Sequence, residues 1–125
     1  MFEIVLFPID RSRQAADTAA FALKLAQQHD SRLVLLSVVE PGQDDPAAVA
    51  ALLEDARGRF QEQGVSCEVL EREGKPAFVI CDVADEINAD VIVMGTRGLS
   101  LEAEDAPSTA SRVIQLAPCP VMVVP

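Results

Sequence analysis

The sequence predicts an α/β fold, in which a five-stranded parallel sheet carries helices on both faces as a three-layer sandwich. Two observations lead to this expectation. Five short apolar segments alternate strictly with four segments of helical periodicity, and such alternation is typical of parallel sheets built from strand–helix–strand units. The chain has 125 residues, half of them hydrophobic, which fits one compact domain over residues 1–125. The expected strand order is 3-2-1-4-5.

The first half of the chain contains two strand–helix units. Glu3–Ile9 is an almost continuous apolar run, as expected of a strand that is covered on both faces. Apolar residues then recur at spacings of three and four from Arg13 to His29, which predicts a helix with Ser12 as its cap. A second apolar strand covers Arg32–Pro41. Two proline-containing turns follow it, and a second helix runs from Ala47 to about Gln63.

The second half repeats the pattern with shorter elements. Val65–Arg72 alternates as expected of a strand near an edge, and the turn Gly74-Lys75-Pro76 opens a third helix. Its buried stripe is expected to consist of Ile80, Val83, Ala84 and Ile87. Asp90–Gly95 is the most apolar short run, so we expect an interior strand. A last helix has the expected apolar stripe Ala110, Val113, Ile114 and Ala117. Cys119–Val124 is expected to form the fifth strand.

Charge and cysteine content exclude several classes of function. Twenty acidic and ten basic residues give a net charge of −10, so the chain has no basic surface for nucleic-acid phosphates. The three cysteines form no CxxC pair, which suits a reducing compartment and offers no spaced zinc ligands. No basic leader and no apolar run of membrane-spanning length is present. We therefore expect a cytoplasmic protein that contacts neither membranes nor nucleic acids.

The expected ligand site lies at the carboxyl ends of the strands. Parallel α/β sheets bind ligands outside these ends, where the strand order reverses. The loops to search are those after strands one, two and four, which contain Asp10, Val39-Glu40 and Gly95–Gly98.

Four segments give the chain a resemblance to the universal stress protein family that extends over essentially its whole length. They are FPID at the end of strand one, LLSVVEP on strand two, DVIVMGTRGLS from strand four into its loop, and APCPVMVVP at the C-terminus. The resemblance implies a small stress-response module that binds an adenine nucleotide such as ATP. It also implies a homodimer, and the apolar C-terminal strand agrees, because an unpaired edge of this kind promotes aggregation.

The loop after strand four resembles the phosphate loop of nucleotide-binding members, which contains Gly, two residues, Gly, nine residues, then Gly and Ser or Thr. Here Gly95 and Gly98 match, and Ser108-Thr109 stands at the third position, with serine in place of glycine. Glycines let backbone amides approach an anion, and hydroxyls at a helix start add donors. The nucleotide-binding residues implied by the resemblance are Pro8, Ile9, Asp10, Val38, Val39, Met94, Gly95, Arg97, Gly98, Ser108 and Thr109. Among them, Asp10 corresponds to a residue near the nucleotide, and Val38 or Val39 to the region that lines the base.

Acidic residues interrupt this loop. Glu102, Glu104 and Asp105 lie between the glycines and the hydroxyl pair, and a carboxylate about 4 Å from a phosphate repels it by roughly 1 kcal/mol in water and about 4 kcal/mol near a protein surface. The carboxylates could instead share Mg²⁺ with the phosphates, together with Asp10. A third interpretation is a solvated loop in which Ser108 or Thr109 caps the last helix.

Three functional hypotheses therefore stand at the level of sequence. The first is a nucleotide-binding stress module with at most slow hydrolysis, and the second is a dimeric interaction module that has lost the nucleotide. The third, an ATP-dependent ligase or hydrolase, is disfavoured because "IDRSRQAAD" lacks the glycine- and serine-rich turn of such enzymes. No catalytic group is expected. His29 should cap the first helix at the far end of the sheet, and Cys119 should be packed rather than reactive.

Overall fold

The computed structural model describes residues 2–9, 15–95 and 108–125. Four helices and five strands alternate along these ranges, as the sequence predicts. In chain order they are β1 (Ile4–Pro8), α1 (Ala15–His29), β2 (Arg32–Val39), α2 (Pro46–Glu62), β3 (Cys67–Glu73), α3 (Pro76–Glu86), β4 (Val91–Gly95), α4 (Thr109–Leu116) and β5 (Val121–Val124). The predicted cap Ser12 and the first residues of the predicted helix lie outside the described residues.

The five strands form one parallel sheet in the order β3-β2-β1-β4-β5. This confirms the predicted topology. β1 is the central strand and is buried along most of its length, which explains its continuous apolar sequence. β4 is interior, as expected, and β3 lies at an edge. The other edge is β5.

Two apolar cores cover the two faces of the sheet. On one face, Phe7 and Leu35 pack against α1 and α2, which contribute Ala22, Leu53 and Phe60 among others. On the other face, neighbouring strand residues such as Leu6 and Ile92 pack against α3 and α4. Successive strand residues thus point to opposite faces, and the result is the expected sandwich of helix, sheet and helix layers.

Helix starts follow local sequence signals. The Asp45 side chain accepts a hydrogen bond from the amide of Ala47 at 3.1 Å, and Pro46 is the first residue of α2. Pro76 likewise begins α3. Proline suits this position because the first helical amide has no intrahelical acceptor.

Several sequence-based boundaries and one burial were wrong. β2 ends at Val39 instead of the predicted Pro41. β3 begins two residues late because the amide of Val65 donates to the Phe60 carbonyl at 3.0 Å and so finishes α2. β5 is shorter than expected, since Cys119 lies in a bend before it. Ile114 is 57% exposed although it belonged to the predicted stripe. The short helix α4 buries only Ala110 and Val113, and Ile114 follows Val113 by about 100° around the helix axis.

A glycine turn connects β3 to α3 at the carboxyl edge of the sheet, by which we mean the side on which the parallel strands end. Gly74 has a φ of 144°, a region that side chains disfavour. A Cβ added there would lie 2.8 Å from Cγ2 of Val79. The amide of Gly74 donates to the carbonyl of Val39 at 3.0 Å. Glycine at this position therefore lets α3 start directly beside the end of β2.

His29, the single histidine of the chain, lies at the opposite end of the strands. His29 ends α1, and its ring stacks edge-on against Phe2 with centroids 5.2 Å apart. Phe2 precedes β1, so His29 lies at the amino ends of the strands, where the sequence placed it. Across the described ranges, no helix combines the length and the apolar character needed to cross a membrane.

Candidate functional site at the carboxyl ends of the strands

Eight of the eleven candidate residues lie in the described part of the chain. They are Pro8, Ile9, Val38, Val39, Met94, Gly95, Ser108 and Thr109. The other three, Asp10, Arg97 and Gly98, lie outside the described residues, as do the acidic residues Glu102, Glu104 and Asp105.

The end of β1 is joined to β2. The amide of Ile9 donates to the carbonyl of Leu36 at 2.8 Å, so the chain still follows β2 one residue beyond the end of β1. Ile9 is buried, and Pro8 is partly buried. The backbone is thus held on its β2 side up to the residue before Asp10.

The ends of β2 and β4 supply apolar walls. Val39 is buried and Val38 is partly buried, and the hydrogen bond from Gly74 fixes the Val39 carbonyl. Met94 is 4% exposed and packs in the core with α3 and α4. Gly95, which is the last residue of β4, pairs with Val124. Because parallel strands end at the same edge, these residues and Pro8 share one edge of the sheet.

Ser108 caps α4 at this edge. Its hydroxyl oxygen accepts a hydrogen bond from the amide of Ser111 at 3.0 Å and lies 2.9 Å from the Ser111 hydroxyl. Its φ is −65° and its ψ is 157°, an extended conformation open to any residue. Serine in place of the third glycine of the family pattern therefore introduces no backbone strain at this position, and it retains its amide.

Ser111 takes part in the cap of α4 and was not predicted from the sequence. It lies three residues after Ser108, which is the spacing at which a capping hydroxyl meets a helix amide, so the signal was present. α4 crosses from the end of β4 back to the start of β5, and its first turn consequently lies at the carboxyl edge. Helix N-termini favour negative charge, so this turn can receive an anionic group.

Lys75 is a further cation at the same edge. It stands immediately before α3 with an extended backbone and no capping hydrogen bond from its side chain, and it is exposed. It is next to Gly74, whose amide binds Val39. Its position at the ends of β2 and β3 thus places it near Val38 and Val39, which end β2.

An open groove of about 650 Å³ lies at the opposite edge, lined in part by Gln27, Asp30, Val65 and Cys67. Two of its charged residues, Arg32 and Glu68, form an exposed ion pair at 2.6 Å. The groove lies at the amino ends of β2 and β3. Strand topology and the position of the α4 N-terminus both favour the carboxyl edge, and not this groove, as the candidate ligand site.

The three thiols are not poised for nucleophilic chemistry. Burial raises the pKa of the Cys119 thiol, and the nearby Cys81 and Asp90 act in the same direction. Burial is also the main cause of the raised pKa of Cys81 and of Cys67. A thiol with a raised pKa is protonated at neutral pH and is a weak nucleophile. Within the described ranges, no three His, Cys, Asp or Glu residues are grouped to hold a metal ion.

Comparison with known proteins identifies the family. The universal stress protein family model matches residues 1–125. A universal stress protein of Synechocystis sp. is 54% identical over 136 aligned residues, which cover 100% of this chain and 87% of that protein.

Solved structures agree with the sequence comparison. The universal stress protein UspA from Lactobacillus plantarum has a TM-score of 0.79 and 29% identity, with 99% of this chain and 98% of that chain covered. A universal stress protein from Archaeoglobus fulgidus, solved in complex with dAMP, has a TM-score of 0.80 and covers both chains fully. Its identity is 23%, so this likeness bears on the fold. On the family model and the relative that is 54% identical, the chain belongs to the universal stress protein family.

Proposed function

We propose that this chain is a single-domain cytoplasmic stress-response module that binds an adenine nucleotide, ATP with Mg²⁺ in the first instance, and is not an enzyme. The observation that carries the proposal is the geometry of the carboxyl edge. The strand order reverses at β1, which has β2 on one side and β4 on the other. The capped N-terminus of α4 lies at the same edge. Apolar walls and an anion-favouring helix start are the two components that a nucleotide needs.

The proposed contacts divide by nucleotide group. Val38 and Val39 would line the base, with Pro8, Ile9 and Asp10 beside it at the end of β1. The phosphates would meet the loop after β4 and the start of α4, through Gly95, Arg97, Gly98, Ser108 and Thr109, with Met94 as an apolar wall at the end of β4. The relaxed backbone of Ser108 supports this assignment, because a strained serine would have counted against it. The dAMP complex of the Archaeoglobus relative supports an adenine nucleotide as the ligand class.

A thermal shift experiment tests this proposal. We expect ATP with Mg²⁺ at millimolar concentration to raise the melting temperature, because a ligand bound by the native state stabilises it by about 2.7 kcal/mol at a hundredfold excess over Kd. The test variant is Thr109→Val, which removes one hydroxyl from the first residue of α4 while retaining the shape of the side chain. It should reduce the shift. Nucleotide titration by calorimetry gives the Kd directly.

Absence of any shift in the wild-type protein would overturn nucleotide binding. The chain would then be an interaction module on the same fold, which is the alternative left open by the sequence. ATP turnover above background, abolished by changing Asp10, would instead indicate an enzyme.

We also propose a homodimer through β5. All four residues of this edge strand are apolar and only partly buried, so the edge is exposed to pairing with another strand. The amide of Ile92 donates to the carbonyl of Pro120. Because backbone groups alternate sides along a strand, residues 120, 122 and 124 face β4, whereas Val121 and Val123 direct their amides outward.

Val123→Pro is expected to convert the dimer to a monomer. The substitution deletes an outward amide and leaves the hydrogen bonds to β4 in place, since those involve the neighbouring residues. Val123→Thr is the matched control, because it retains both the amide and the branched side chain. Sedimentation at micromolar concentration distinguishes the two states. A wild-type monomer, or a Val123→Pro dimer of unchanged affinity, would contradict pairing through this strand.

A further inference from the structure

β1 pairs unequally with its two neighbours. Its register with β2 extends to Pro8 opposite Leu36, and the Ile9 amide adds one more bond to β2. The described register with β4 consists of Val5 opposite Val91 and Leu6 opposite Ile92. The β1–β4 pairing therefore ends two residues before the β1–β2 pairing, at the carboxyl edge.

The direction of the backbone amides explains this early end. In parallel strands, the amide and carbonyl of one residue face the same neighbour, and successive residues alternate. Ile9 donates to β2, and the Ile4 carbonyl accepts from the amide of Asp90 before β4. Even-numbered residues of β1 thus face β4.

Position 8 of β1 should therefore donate a hydrogen bond to β4. In the observed register, the acceptor opposite this position is the carbonyl of Val93. Pro8 has no amide hydrogen. The two next pairings, Phe7 with Val93 and Pro8 with Met94, both require that missing donor. A proline within a central strand is unusual for this reason.

We propose that Pro8 acts as a positioning residue for the nucleotide site by ending the β1–β4 ladder. Without the position-8 donor, the carboxyl ends of the two strands are not tied together, and the Val93 carbonyl loses its ladder partner on the β1 side. That carbonyl is then available to a donor of the ligand or to a bridging water. The inference rests on the proposed function, since it assigns the role of this gap to ligand admission.

The test is Pro8→Val, which supplies the missing amide and a side chain suited to strands. Two measurements are made on the intact protein. Amide hydrogen exchange, followed by NMR, should show a protected amide at residue 8, and ATP should bind roughly five to ten times more weakly, as expected when one hydrogen bond must be broken for entry. The melting temperature in the absence of ligand should be unchanged or higher. Pro8→Ala provides a second variant with the same amide and less bulk.

Pro120→Val is the matched control. The Pro120 carbonyl faces β4, so this change adds an amide to the same sheet at its amino edge, and ATP affinity should be that of the wild type. A freely exchanging residue-8 amide, or unchanged ATP affinity in both position-8 variants, would overturn the role of Pro8. Failure of the wild-type protein to bind ATP would overturn the proposed function itself, whereas the exchange measurement still decides whether Pro8 ends the ladder.

Discussion

Replacing Phe7 with alanine is expected to lower the free energy of unfolding by about 3–5 kcal/mol, the usual cost of truncating a buried aromatic residue. Phe7 lies on the central strand, is 2% exposed and packs in the core under α1 and α2. Its ring meets that of Phe60 edge-to-face, with centroids 6.3 Å apart. The substitution would therefore open a cavity and also remove an aromatic pair between β1 and α2.

Urea unfolding measures this effect, and Phe21→Ala is the matched control. Phe21 is 45% exposed on α1, so the same chemical change there should cost far less. For a domain of this size the Phe7 variant should melt roughly 3–5 °C lower per kcal/mol lost. A double-mutant cycle with Phe60→Ala should show a coupling of about 0.5–1.5 kcal/mol from the ring pair. Equal costs for Phe7 and Phe21 would show that the core under α1 and α2 is not organised as described.

Neutralising the acidic segment is expected to give the largest functional change. The triple variant Glu102→Gln, Glu104→Gln and Asp105→Asn should bind ATP about tenfold more tightly, or about 1.4 kcal/mol. Each carboxylate near a phosphate opposes binding by roughly 1 kcal/mol in water and by more beside a protein surface. The gain should be smaller for AMP, which carries less charge, and smaller at high salt, which screens exposed charges.

The control for net charge is a second triple variant, Glu62→Gln, Asp82→Asn and Asp85→Asn. These residues are exposed on α2 and α3, and the change in net charge is the same. ATP affinity should be nearly that of the wild type. Weaker ATP binding in the first triple variant would reverse our interpretation, because it would mean that the segment's carboxylates hold Mg²⁺ together with the phosphates.

Most of the fold was predictable because its strands are covered on both faces. Continuous apolar runs such as that of β1 have no other stable location in a protein of this size, and strict alternation with helices leaves few topologies. Boundaries were less accurate where long-range contacts decide them. The local sequence around Val65 is typical of a strand, but the amide of Val65 completes the end of α2. The spacing of Ile114 predicts a core residue, but the short helix α4 buries only Ala110 and Val113.

The candidate site was predictable in position and less so in conformation. The carboxyl ends of β1, β2 and β4 follow from topology, and the structure brings Pro8, Val39 and Gly95 to that edge. The roles of these residues in binding remain predictions. The conformation of Ser108 could not be read from the sequence, because its φ depends on how α4 docks on α3 and the sheet. Asp10, Arg97 and Gly98 lie outside the described residues.

The sequence by itself determined that the chain forms a parallel sheet in which Pro8, Val39 and Gly95 end their strands on the same side, because hydrophobic periodicity and the covalent chemistry of proline and glycine are local properties. It also determined that position 8 has no hydrogen to donate. Only the tertiary structure decided which strand that missing donor faces, since register arises from packing between residues far apart in the chain. In the same way, only the structure showed that Ser108 takes up the extended backbone of a helix cap, with a φ of −65°, so serine at this position is not strained.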